Sequence, residues 1–99
     1  MYLVVFRNRK HDDMDHAAYQ AQAERMERLA RAQPGFISFK SYTADDGEAV
    51  AISEWADAAS AKAWGRVAEH RTAQADGRRL WYAQYTLFGC DSPQVREFP

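Results

Sequence analysis

The stretch from Trp55 to Tyr85, WADAASAKAWGRVAEHRTAQADGRRLWYAQY, gathers all three tryptophans and two of the five tyrosines around His70, Gln74 and Arg78. Flat rings beside one titratable imidazole and one fixed cation are the side chains that a pocket for a planar organic ligand needs. His70 offers three chemistries: axial ligation of haem iron, proton abstraction, or a hydrogen bond to a ligand carbonyl. Its structural alternative is to cap the end of a helix, where an imidazolium meets the dipole. Arg78 either grips a carboxylate or phenolate with its planar guanidinium or pairs with Glu69 or Asp76 across a dimer. Asn8 stands on the same strand face as Val4 and Phe6, where an amide must find a hydrogen bond. It either orients a ligand oxygen or dioxygen, or ties a strand end to the neighbouring loop.

Other chemistries lack their residues. His11, Asp12, Asp13, Asp15 and His16 form a polar cluster without metal-ligand spacing, which reads as helix capping and solvated surface. Cys90 is the single cysteine, so the chain has no internal disulfide and no multi-cysteine metal site, and no histidine near it in sequence makes it a nucleophile. Five scattered glycines form no phosphate cradle, which argues against a bound NAD or a Rossmann-type flavin. An oxidation here would rest on the substrate itself, on free reduced flavin, or on haem.

The elements that must position these residues are legible in the periodicity. Met1 to Asn8 is a strand with Tyr2, Val4, Phe6 and Asn8 on one face. Met14 through Gln33 is a helix with Tyr19, Ala23, Met26 and Ala30 on one stripe, stopped by Pro34-Gly35. Phe36 to Thr43 and Glu48 to Trp55 are antiparallel strands joined at Asp45-Asp46-Gly47, the first alternating Phe36, Ser38, Lys40 and Tyr42 against Ile37, Phe39, Ser41 and Thr43. Asp57 caps a second helix that runs to about His70 with Ala61, Trp64, Val67 and Ala68 inward, and a further helical turn follows before Gly77. Trp64 on that inner stripe is either core or pocket wall, while Trp55 and Trp81 seal the ends of the core. Leu80 to Gly89 is the last strand; strict alternation sends Tyr82 and Tyr85 to opposite faces, so one lines a pocket and the other faces a partner.

The order β-α-β-β-α-β defines an α+β, ferredoxin-like split βαβ unit, with two helices on one face of a four-stranded antiparallel sheet. Ninety-nine residues, 46% hydrophobic, make one domain, residues 1 to 99, with a polar tail over 91 to 99. Apolar residues on both faces of every strand call for cover on the face without helices, and a second copy, a homodimer, supplies it. A net charge of −1 with mixed signs argues against nucleic acid, and the absence of a long apolar run argues against a membrane and for the cytoplasm.

Gln33-Pro34-Gly35-Phe36, Glu54-Trp55 and the pattern W-x5-H-x3-Q-x2-GR-x2-WY, made by Trp64, His70, Gln74, Gly77, Arg78, Trp81 and Tyr82, resemble the antibiotic biosynthesis monooxygenase (ABM) superfamily over nearly the whole chain. The resemblance implies a dimeric α+β barrel and a cofactor-independent monooxygenase that oxidises a planar aromatic or phenolic small molecule with dioxygen, the substrate's own carbanion serving as reductant. It equally implies an alternative, haem binding and degradation. There an asparagine on strand one, a tryptophan on the second helix and an iron-ligating histidine correspond to Asn8, Trp64 and His70, with a shorter tryptophan-to-histidine interval in this chain. Under the first reading Asn8, Trp64 and His70 are catalytic, Phe6, Arg78, Tyr82 and Tyr85 bind substrate, and no metal is held. A non-catalytic binding or sensing dimer would use the same pocket.

Overall fold

The computed structural model describes the backbone of residues 1–74 and 80–99 and the side chains of residues 1–68 and 80–99. The chain runs β1 (Tyr2–Lys10), α1 (His16–Arg31), β2 (Phe36–Thr43), β3 (Ala49–Trp55), α2 (Ala58–Gln74) and β4 (Tyr82–Asp91), the order expected from the periodicity. The strands form one antiparallel sheet in the order β2-β3-β1-β4, which is the ferredoxin-like arrangement. Among the described residues no helix is long and apolar enough to cross a membrane.

Local chemistry sets the helix starts. The Asp15 carboxylate accepts from Ala18 N at 3.0 Å, so α1 begins at His16 and not at Met14. The Asp57 carboxylate accepts from Ser60 N at 2.8 Å at the start of α2, and that bond holds its carboxyl below the usual carboxylate range. α2 continues to Gln74, so the helix expected to about His70 and the further helical turn expected after it are one element, Ala73 and Gln74 being good helix formers. Gly35 takes the turn after α1 at φ +81°, and a Cβ there would collide with Ser60 Oγ. Its carbonyl accepts from Ala56 N at 2.7 Å, which ties the exit of α1 to the entry of α2.

The core forms where both helices meet one face of the sheet. Ala30 of α1, Trp55 of β3 and Ala61 of α2 are buried, with Tyr2, Val4, Phe36 and Trp64 packed against them. Trp55 is fully buried, meets Phe36 edge-on at 5.5 Å, stacks on Trp64 at 6.0 Å and donates Nε1–H to Ser53 Oγ at 3.0 Å. The opposite face carries Leu3, Val5, Val50, Ile52, Tyr42 and Phe88, with Tyr42 and Phe88 exposed.

Two register shifts break the alternation read from the sequence. Between Phe36 and Ser38 the ladder skips Ile37, so Phe36 and Phe39 share the helix side. Between the Arg9 and Lys10 pairings it skips Ala83, because Arg9 pairs with Gln84 but Lys10 with Tyr82. Tyr82 and Tyr85 therefore lie on the same face, the helix side, and not on opposite faces as strict alternation requires. β4 also starts later than Leu80, since Leu80 and Trp81 are helical, and the Trp81 carbonyl accepts from His11 N at 2.9 Å. It ends at Asp91, paired with Tyr2, so Asp91 belongs to the strand and not to the tail.

Candidate active site

β1 carries Phe6 and Asn8 up the helix side of the sheet, and Lys10 follows on the same face beyond the expected strand end at Asn8. The register shift in β4 brings both tyrosines to them. Phe6 meets Tyr82 edge-on at 5.2 Å and Tyr85 at 5.3 Å, and the two tyrosines are 6.1 Å apart. From the first turns of α1, Tyr19 adds an edge contact to Tyr82 at 6.3 Å and another to Trp81 at 5.9 Å. Such edge-to-face geometry lets each ring's positive edge meet a negative face, which makes a wall that suits flat ligands.

Polar groups are few and close. Asn8 is only 5% exposed, and its Oδ1 accepts from Lys10 Nζ at 3.0 Å. Lys10 Nζ lies 4.9 Å from the Tyr19 ring centre and 6.0 Å from that of Tyr82. Leu87 is 61% exposed and Tyr85 42% exposed although both face the helix side, so this end of the sheet stands open beside β4. A cleft of about 220 Å³ is lined by Arg7, Asn8, Arg9, Glu48, Gln84, Tyr85 and Thr86, so it is mostly polar and borders the cluster at Asn8 and Tyr85. At its rim Arg9 Nη2 pairs with Asp46 at 2.8 Å. The Glu48 backbone N–H first, and Arg9 second, hold the Asp46 carboxyl below its usual range, and Asp46 in turn raises Arg9.

Phe6, Asn8, Tyr82 and Tyr85, of the residues singled out from the sequence, come together here. Trp64 does not join them through a described contact; its ring stacks on Trp55 toward the other end of the sheet. His70 is carried by the last turns of α2, its side chain outside the described ones, and Arg78 lies outside the described residues. Tyr19 and Trp81 are site neighbours that the sequence reading left as core stripe and core seal, and Lys10 is one it left beyond the strand with no role. Extending the alternation of β1 by one more pair of residues would have placed Lys10 beside Asn8.

A sequence model of the antibiotic biosynthesis monooxygenase family matches residues 1–76. The chain belongs to the antibiotic biosynthesis monooxygenase family. This ABM chain is 34% identical over 86 residues to the uncharacterized protein YqjZ of Bacillus subtilis, a match spanning 87% of the chain and 74% of YqjZ. Its fold is that of Rv0793 from Mycobacterium tuberculosis, with a TM-score of 0.78 at 18% identity over 97% of this chain and 98% of that one. SnoaB from Streptomyces nogalater, described as a cofactor-independent oxygenase, matches with a TM-score of 0.74 at 19% identity over 95% of this chain and 94% of SnoaB. At these identities the two structures speak for the ABM fold alone.

Proposed function

We propose that this ABM-family chain is a cofactor-independent monooxygenase that oxidises a planar aromatic or phenolic small molecule with dioxygen, working as a homodimer. The observation that carries the reading is the cluster of Phe6, Tyr82 and Tyr85 around the buried amide of Asn8, ring walls with one polar anchor. Family membership supplies the reaction class, and SnoaB offers a relative in fold described as oxygenating without a cofactor. A phenol can supply all the electrons: one C–H bond is replaced by C=O, the hydroxyl loses its proton, one oxygen atom stays in the quinone and the other leaves as water.

The residues divide the work by position. Phe6, Tyr82 and Tyr85 hold the ring system and keep bulk water from it, while Asn8 orients an oxygen of the substrate or of the reduced dioxygen. α2 rises about 18 Å from Ala58 to His70 and β1 about 20 Å from Tyr2 to Asn8, and both begin at the Trp55 end of the sheet. Those matching rises support His70 as a group serving the Asn8 end, with Arg78 a further contact for the ionised substrate. Trp64, stacked on Trp55 toward the other end of the sheet, belongs to the core in this reading and not to the pocket.

An oxygen electrode tests this with a panel of phenols and naphthols and no added cofactor. Uptake matched by quinone formation is expected, with Asn8→Ala slower by about a hundredfold, the scale on which one transition-state hydrogen-bond partner counts. No uptake with any member of the panel, or an unchanged rate in Asn8→Ala, would sink the assignment. Hemin titration tests the alternative: a stoichiometric Soret band lost in His70→Ala would put a haem-degrading enzyme in its place.

A further inference from the structure

Lys10 is half-buried on the helix side of the sheet, and no carboxylate pairs with it among the described residues, whose ion pairs are Arg9–Asp46 and Arg31–Glu27. What holds it is the face of Tyr19 at 4.9 Å, the face of Tyr82 at 6.0 Å and the neutral amide oxygen of Asn8 at 3.0 Å. Ring quadrupoles and an amide dipole fix an ammonium in place without neutralising it. Among the described residues this half-buried ammonium thus meets rings and an amide oxygen and no carboxylate.

Two further donors border these rings. With Oδ1 committed to Lys10, the end of the Asn8 amide left for a ligand is Nδ2–H2. Trp81, whose ring packs on Tyr19 at 5.9 Å, is nine-tenths buried, and its Nε1–H finds no acceptor among the described residues. A buried donor without an acceptor is unfavourable, and a ligand oxygen would relieve it. Ammonium, amide N–H and indole N–H together can serve an acceptor, best a negatively charged one, and none of them can serve a cation.

We propose that Lys10, Asn8 and Trp81 form a subsite for the ionised oxygen of a planar ligand, a phenolate, enolate or carboxylate whose rings lie against Phe6, Tyr82 and Tyr85. The inference rests on the aromatic cluster being the binding site and is independent of any reaction there. Within the oxygenase reading it makes Lys10 a specificity residue that selects the ionised form of the substrate.

Isothermal titration of the intact protein with 2-naphthoate and with 2-naphthamide, equal in ring size and unequal in charge, tests it. The naphthoate is expected to bind about tenfold tighter, the scale of a charge-assisted hydrogen bond over a neutral one. Lys10→Met, which keeps an apolar stem against Tyr19, abolishes the preference by weakening naphthoate about tenfold more than naphthamide, and Lys10→Arg retains it. Equal affinities in the parent protein, or a preference that survives Lys10→Met, overturn the subsite. If neither compound binds, the aromatic site falls with it, whereas failed oxygen uptake beside an intact preference removes only the oxygenase reading.

Discussion

At the scale of single residues, the buried indole of Trp55 and the turn glycine Gly35 carry more of the fold than their number suggests. Trp55 is enclosed by Phe36 and Trp64, and its one polar atom is satisfied by Ser53 Oγ. Ser53→Ala strands that N–H in a place water does not reach, and the expected loss is about 1–3 kcal/mol by urea denaturation. Trp55→Ala, which also leaves a ring-sized cavity, loses about 3–5 kcal/mol. Gly35→Ala meets both an unfavourable positive φ and the Ser60 hydroxyl, and should lose about 1–3 kcal/mol. Because part of that loss is steric, pairing it with Ser60→Gly should destabilise less than the sum of the two single changes, and strict additivity in the same denaturation series would contradict the collision.

Elements respond through their caps and their registers. Asp15→Ala leaves Ala18 N–H without its carboxylate partner and should lower stability by about 1 kcal/mol. Asp57 and Asp46 have folded values below the usual carboxylate range, held there by the N–H groups of Ser60 and Glu48. Their contribution is therefore complete above the ordinary carboxylate range and disappears as the pH falls from that range through the lowered folded values. Urea midpoints should fall between pH 5 and about pH 3, and Asp57→Asn, which accepts the same hydrogen bond without titrating, should show a shallower fall. In the strands, alternation was a sound guide along β1 and β3 but failed where one extra residue enters. Ile37 and Ala83 are an ordinary isoleucine and alanine, with no glycine or proline to mark a bulge, yet each sends the ring before it to the face opposite the one its position implies. Tyr82 and Tyr85 meet Phe6 together for that reason alone.

For the molecule as a whole, the face of the sheet away from the helices is the unsettled surface of a single chain. Val5 and Ile52 stand opposite one another at its centre, with Phe88 beyond them 46% exposed and capped by the Arg7 guanidinium at 5.3 Å. Sedimentation equilibrium should return twice the mass of one chain, and Ile52→Arg, a charge in the middle of that face, should return one. A monomeric parent would overturn the homodimer. The sequence by itself determined the element order, the Asp57 cap, the glycine turn and the family, because periodicity, cap chemistry and a conformationally special residue act locally. Tertiary structure alone decided that Tyr82 and Tyr85 share a face and that Lys10 stands against Tyr19 and Asn8. Those facts depend on which residue of one strand bonds to which residue of another, and a register with an added residue differs from a regular one by a few backbone hydrogen bonds that no local pattern encodes.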